Sequence, residues 1–524
     1  MNNIHILDCT LRDGGYCNEW RFGFENARKI TKGLQEAGIE IIECGFLTNK
    51  VTYDPNITRF TTVDEIASII PSNKKGKLFV AMMNYGEYNA EDLPSCNGRS
   101  IDGIRVAFHK RDLEAALTLC EEIKKKGYLV FVQAMVSLAY TDEEFLSMIR
   151  RVNEINPYAF YIVDSFGMMK GKDLTRLFFV IEHNLDEDIW IGFHSHNNMQ
   201  LAYSNAQTLI AVQTNRNLII DSSVYGMGRG AGNLNTELLL EYLNEHSGKK
   251  YELKPILILI DEILNEFYQQ NYWGYSLPNY ISAAHNAHPN YASYLDDKKT
   301  LTVEGMNEIF DMMDEDKKTS YDKAYIEDLY LKYMIAGKVQ EEHKSDLRDR
   351  LLGKRILLIA PGKSSIDEIE KLREFIDKNS VVISVNFAFE KITPDYIFIS
   401  NSRRFRELML EDRNKSIVTS NIKAEGVYLQ PEYKDLVNSE ESVSDNAGLM
   451  AIKFLMKFDV EGIYLAGFDG YSHDDRENYG SSEMAIITRN AVLDAMNSGM
   501  TKVLKRYSKL AKIRFVTEPH FVEL

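Results

Sequence analysis

Short apolar runs rich in β-branched and aromatic residues recur through the first 240 positions of the chain. Each is followed by a polar or glycine-containing turn and then by apolar positions at helical spacing. The runs that read as strands are IHILDCT, IEIIECGF, KLFVAMMN, GIRVAFH, YLVFVQAMV, AFYIVDSFG, WIGFHSHNN and LIIDSSVYG. Between them lie segments such as FENARKITKGLQEAG and DLEAALTLCEEIKKKG, with glycine at the helix stop. Eight strands alternating with helices give the rhythm of a (β/α)8 TIM barrel, and near-continuous apolar strands suit parallel pairing buried on both faces. A doubly wound sheet is the alternative.

Beyond residue 250 the pattern turns helical, with tyrosine-rich stretches YQQNYWGYSLPNY and HNAHPNYASYL, as expected of a packing or dimerisation appendage. A charged segment, QEEHKSDLRDR, precedes a change of composition near residue 353. A second alternation follows, with RILLIAP, VVISVNFA, PDYIFIS, SIVTS, GVYLQ, GIYLAGFDG and IRFVTE as strands and DEIEKLREFID, DNAGLMAIKFLMKF and 482–508 as helices. The expectation is an α/β protein with a TIM barrel at 1–248, a helical extension at 249–345 and a Rossmann-like α/β domain at 353–524.

Charge and cysteines narrow the function classes. A formal net charge of -16 argues against nucleic-acid or anionic-membrane partners, so a small anionic substrate would need local cations. The five cysteines, Cys9, Cys17, Cys44, Cys96 and Cys120, form no CxxC pair, which fits a reduced, cytoplasmic setting. No signal peptide or membrane span is expected, because MNNIHILDCT runs directly into a strand and PILILIDEIL is short and interrupted by charge. A homo-oligomer is expected.

A TIM barrel places its chemistry at the carboxyl ends of its strands, and there this sequence becomes polar: Thr10, Arg12 and Asp13, then Glu43, Asn84, His109, Gln133, Asp164 and Ser165. In GFHSHNN, His194 and His196 share one face of a strand. Two neutral imidazoles and one carboxylate form a ligand set for a divalent ion with positions left open for substrate, and Asp13 supplies the carboxylate if the first and seventh strands converge. Arg12 adds a fixed cation, although an Arg12–Asp13 ion pair capping the barrel mouth explains the adjacency equally simply. A Schiff-base aldolase would need a lysine inside the barrel, and the strand ends offer only Lys110 and Lys170.

DCTLRDGGY at 8–16, HSHNN at 194–198 and GMGRGAGNLNTE at 226–237 resemble, in order, three signatures of the metal-dependent superfamily of 4-hydroxy-2-oxovalerate aldolases, isopropylmalate synthases and hydroxymethylglutaryl-CoA lyases. The resemblance covers roughly the first half of the chain. It implies Asp13, His194 and His196 as ligands of Mn2+ or Mg2+, Asn233 as a further ligand and Arg12 as the catalytic arginine. Ser165, Glu43 and His109 are expected to face the substrate. The aldolase branch is the closer match, which implies pyruvate and an aldehyde as partners, possible in sugar or surface-polysaccharide metabolism. Alternatives are an acyl-CoA condensing or lyase enzyme, and a binding protein that has lost catalysis. That branch usually carries a histidine where Tyr16 stands, and a phenol makes a poor base at neutral pH. His109, His285 and Tyr280 are the other candidates, Tyr280 resembling the branch's helical-region tyrosine.

In the last third, APGKSS at 360–365 follows a strand and opens a helix, where free amides could cradle phosphate. With VVISVNFAF, PDYIFISNSRRF and IYLAGFDGYS it resembles sialyltransferase-like domains. This implies a nucleotide-sugar partner near Gly362, Ser364, Asn386, Asn401, Arg404 and Asp469; an ordinary α/β sheet with polar loops is the alternative.

Overall fold

A computed structural model describes residues 3–298, 300–335, 337, 339–480 and 490–524. The chain divides into two compact units, Met1–Ala292 with Lys318–Tyr321, and Ser293–Lys317 with Asp322–Leu524.

In the first unit the strands are β1 (Ile4–Asp8), β2 (Ile41–Leu47), a two-residue β3 (Arg59–Phe60), β4 (Leu78–Asn84), β5 (Gly103–Phe108), β6 (Leu129–Ala134), β7 (Ala159–Asp164), β8 (Trp190–Ser195) and β9 (Leu218–Ser222). All pair in parallel in the order β1-β9-β8-β7-β6-β5-β4-β2-β3. Pairing of β1 with β2, Leu7 opposite Ile41, closes the barrel, and β3 only lengthens the pairing at the end of β2. The eight strands read from the sequence are the eight staves.

Alternation along each strand sorts the side chains. Ile42, Ile104, Val130, Phe160, Ile191 and Ile220 point outward into the core shared with the helices, whereas Leu7, Ile41, Val80, Phe131, Tyr161 and Ile219 fill the interior. Gly192 stands at an inward position because a Cβ there would lie 2.3 Å from the Tyr161 ring. The helices Leu113–Lys125 and Asp142–Ile155 surround these strands, the latter opened by a Thr141–Glu144 capping box.

The same inward parity puts charge inside the barrel. Arg105 on β5 is fully buried, pairs with Glu43 on β2 at 2.8 Å, contacts Asp221 on β9 and stacks on Tyr161.

The helical stretch expected as a separate extension does not stand alone. Ile256, Leu259, Ile263, Leu264 and Trp273 belong to the barrel's own core, and Leu259 sits so close to Gly33 that a Cβ there would lie 2.9 Å away. The division falls inside the helix Pro289–Asp297.

The second unit is a parallel sheet of β10 (Arg355–Ile359), β11 (Ser380–Val385), β12 (Tyr396–Ile399), β13 (Ser416–Val418), β14 (Gly462–Ala466) and β15 (Ile513–Phe515), in the order β13-β12-β11-β10-β14-β15. GVYLQ was expected as a strand. It makes only an isolated bridge of Leu429 with Ile417 and another of Gln430 with Gln340, because Pro431 follows and has no amide to donate. Of the helix expected over 482–508, Asn490–Tyr507 is helical and 482–489 lie outside the described residues. No helix among the described residues is long and apolar enough to cross a membrane.

Removing one partner of a buried ion cluster strands the others in low dielectric. Arg105→Met is expected to destabilise the barrel by about 3–5 kcal/mol, read as a fall in the denaturant midpoint of its unfolding transition.

Candidate metal centre at the barrel mouth

Immediately after β1 the chain makes one helical turn, Thr10–Asp13, whose Asp13 amide donates to the Cys9 carbonyl at 2.8 Å. This turn aims Asp13 across the mouth toward β8, where His194 and His196 share the inward face. One ligand atom from each of Asp13, His194 and His196 lies within 4.8 Å of the others, and all three residues are buried.

The surroundings hold Asp13 and His196 in the protonation states that a dication would bind. Burial alone would raise the Asp13 pKa, but Arg12 and the two histidines outweigh it and keep the carboxylate ionised well below its usual range. Burial lowers His196 to about 3, partly offset by Asp13, so its ring is neutral at physiological pH. Deprotonated acid and neutral imidazole are the forms a dication binds. His194 Nδ1 lies 3.0 Å from Asp221 Oδ2, and donation to that carboxylate turns Nε2 toward the cluster. Asp221 is itself held ionised because Arg105 and His194 overcome its burial.

Two orphaned atoms complete the fit. His196 Nδ1 and Asn233 Oδ1 are buried without a hydrogen-bond partner, while Asn233 Nδ2 donates to Asp13 Oδ2 at 2.8 Å. Asn233 reaches the cluster because the glycine-rich loop folds over it: His196 and Asn233 form a bridge, and Asn197 donates its amide to the Gly232 carbonyl at 2.8 Å. Gly232 takes φ +85, and a Cβ at Gly228 would lie 2.4 Å from Asn233 Nδ2 and 2.9 Å from Asp13 Oδ2. The loop after the last strand is thus a lid on the ligand set, and its GxGxxA spacing serves that close approach.

Arg12 contacts Asp13, donates Nε to Glu43 Oε2 at 2.9 Å and leaves Nη2 buried without a partner. Glu43, expected to face the substrate, is instead fully buried between Arg12 and Arg105, where it binds cations of the protein. Ser165 lies on the rim, its hydroxyl accepting the Val136 amide at 2.9 Å. His109 is half-buried at the start of the turn Lys110–Asp112, and burial followed by Arg111 lowers its pKa.

Tyr16 is 44 % exposed, yet desolvation at the mouth raises its hydroxyl pKa, opposite to what a base requires. Tyr280, on the helix Leu277–Ala284, is also 44 % exposed. His285 is half-buried just past that helix.

Two residues at the mouth were not anticipated. Arg229, in the glycine loop, lies over the Tyr16 ring at 5.5 Å, donates to the Ser165 carbonyl at 3.0 Å and leaves its buried Nε without a partner. His288 Nε2 lies 3.4 Å from Arg229 Nη1, and its ring meets Phe166 edge-on. Burial, then Arg229 and two histidines, lower the His288 pKa well below its ordinary value. The Asn290 amide lies 3.2 Å from Nδ1, so both ring nitrogens of His288 face donors, the Arg229 guanidinium at Nε2 and this amide at Nδ1.

A metal-dependent lyase barrel is the class that this fold and ligand set define, and comparison with known proteins gives the family. The HMGL-like family matches residues 105–257. The chain is 30 % identical over 246 residues to a 4-hydroxy-2-oxovalerate aldolase of Moorella thermoacetica, covering 46 % of this chain and 71 % of that protein. It is 26 % identical over 242 residues to an oxaloacetate decarboxylase of Mycobacterium tuberculosis, covering 45 % and 69 %. Among solved structures, the N-terminal domain of a putative aldolase from Bacteroides vulgatus superposes with a TM-score of 0.50 at 30 % identity, covering 56 % of this chain and 96 % of that one. The chain belongs to the HMGL-like family of aldolases and lyases.

Filling the space that glycine leaves beside Asn233 tests the ligand set without touching a ligand. Gly228→Ala is expected to weaken Mn2+ binding about 10–100-fold, the range for disturbed outer-shell partners, measured by titration calorimetry on a variant that melts as the parent does.

Proposed function

We propose that the barrel is a divalent-metal-dependent aldolase that interconverts a 4-hydroxy-2-oxo acid with pyruvate and an aldehyde. The observation that carries this reading is the convergence of Asp13, His194 and His196 beside the unpaired Nη2 of Arg12. Mn2+ or Mg2+ held there would act as a Lewis acid on the oxo and carboxylate oxygens of the acid, contributing several kcal/mol to cleavage.

The protein's own groups divide the remaining work. Arg12 Nη2 donates to the oxygen that gains negative charge as the carbon–carbon bond breaks. Its other nitrogens are tied to Asp13 and Glu43, so the donor is positioned before substrate arrives. Arg229 faces the far end of the substrate and donates to the hydroxyl oxygen that becomes the aldehyde carbonyl, His288 holds Arg229 there through Nε2, and the proton which that hydroxyl loses passes to solvent water. A neutral imidazole suits this place, because a second full charge beside Arg229 would repel it. Tyr16 stays protonated and packs beneath Arg229, so it does not act as the base. Asn233 fixes the second oxygen of Asp13.

The M. tuberculosis relative supports a neighbouring reading, decarboxylation of oxaloacetate, which passes through the same pyruvate enolate. Faster turnover of oxaloacetate than of any 4-hydroxy-2-oxo acid would select it, and thiol release from acetyl-CoA would select an acyl-CoA reaction instead.

Exchange of pyruvate methyl protons with deuterated water, followed by NMR, is expected with Mn2+ and lost after chelation or in Asp13→Ala. Full exchange in the chelated protein would overturn the proposal. Arg229→Gln is expected to lower kcat about 100-fold, in the range of a lost oxyanion donor. His288→Gln, which keeps an acceptor for Arg229, should retain several-fold more activity than His288→Ala, and equal loss in the two would remove the positioning role.

A further inference from the structure

The second unit contains a cavity of about 450 Å3 that the barrel chemistry does not use. Its position follows from topology. From β10 the chain adds β11, β12 and β13 successively on one side, then returns to place β14 and β15 on the other. The loops leaving β10 and β14 therefore diverge, and a crevice opens at their carboxyl ends, where parallel α/β sheets bind ligands. Residues 360–362 after β10 and 467–471 after β14 line it. The two loops touch through backbone alone: the Gly362 amide donates to the Gly467 carbonyl at 3.1 Å, and a Cβ on Gly362 would lie 2.3 Å from that oxygen.

The distribution of charge around this crevice decides what can bind. The helical turn Ser364–Asp367 begins where phosphate was expected, but Asp469 already occupies it. Its carboxylate accepts the Ser364 amide at 2.8 Å and also binds the Ser364 hydroxyl, which lies 2.8 Å from Thr517 Oγ1. Asp469 is buried and lines the cavity, so a fixed acceptor stands at the β10–β14 end. A phosphate placed there would meet an anion. This corrects the expectation that Gly362 and Ser364 form a phosphate cradle.

Cations stand along the opposite wall. Arg403 and Arg404 open the helix Ser402–Glu407 that follows β12, and Lys298 lies 5.0 Å from the ring centres of both Tyr294 and Tyr330. These cations also hold acids, Arg404 pairing with Glu407 at 2.9 Å and Lys298 with Glu327 at 3.3 Å, while Asp445 accepts from Tyr330 at 2.7 Å. Between the poles, Asn386 follows β11 in the left-handed region at φ +63, which asparagine tolerates, and accepts the Ser400 amide at 3.1 Å.

We infer that this crevice binds a phosphorylated sugar, free or as part of a nucleotide, with sugar hydroxyls donating to Asp469 and the phosphate against Arg404. Its polarity is the reverse of a dinucleotide fold, in which the phosphate takes the first helix start. The cavity volume is that of an ordinary small-molecule pocket.

The test uses the full chain and titration calorimetry with ADP, GDP, CDP, UDP, ribose 5-phosphate, glucose 1-phosphate and inorganic phosphate. At least one sugar-bearing probe is expected to bind at least tenfold more tightly than inorganic phosphate, and the nucleotide and free-sugar arms identify its source. Arg404→Gln should weaken that probe at least tenfold. Asp469→Asn, which keeps an oxygen for the Ser364 amide, should weaken the sugar-bearing probe and leave inorganic phosphate unchanged. Asp13→Ala should leave all of this binding intact. Failure of every probe to bind a protein of parental melting temperature would overturn the inference, and so would tighter phosphate binding by Asp469→Asn, which would restore the helix start as the anion site.

Discussion

A line of alternating charge through the barrel interior holds the centre together. Asp13, Arg12, Glu43, Arg105, Asp221 and His194 follow one another in contact, from the end of β1 across β2, β5 and β9 to β8. Burying each of the five ions from Asp13 to Asp221 singly would be prohibitive, so each depends on its neighbours for solvation, and His194 joins the end as a hydrogen-bond partner of Asp221. The two ends of the line, Asp13 and His194, belong to the group that could hold a metal ion. Along this line three carboxylates, Asp13, Glu43 and Asp221, stand against two guanidiniums, Arg12 and Arg105. The residual negative charge, with orphaned acceptors on His196 and Asn233, is what a dication would neutralise.

This constraint explains the order in which the sequence becomes readable. Strand periodicity put His194 and His196 on one face, and motif order brought the glycine loop beside them, because both depend on local spacing. The inner links were harder to see. Arg105 in GIRVAFH and Asp221 in LIIDSS each break an apolar run with a single charge, and at inward parity that is the mark of an internal ion pair. Glu43 was legible as a polar residue at a strand end, but its direction was not, since only closure of the barrel shows that Arg12 and Arg105 reach it first.

Long-range contacts account for what was missed. His288 comes from a stretch whose tyrosines read as packing, and its place depends on Asn286 turning the chain at φ +56 just after a helix. Asp469 meets Ser364 across 105 positions of sequence, so APGKSS looks open when read alone and is filled when folded. A loop motif states what its backbone can offer, and the rest of the fold determines whether that offer is already taken.

Trp273 donates Nε1–H to the Tyr225 carbonyl at 2.9 Å and packs on Gly232, so the glycine lid is braced by a residue beyond the last barrel helix, Thr236–His246. The eightfold repeat is therefore shorter than the piece that works. Any excision, graft or recombination that respects the repeat's visible edge would carry off the ligands and leave their roof beam behind.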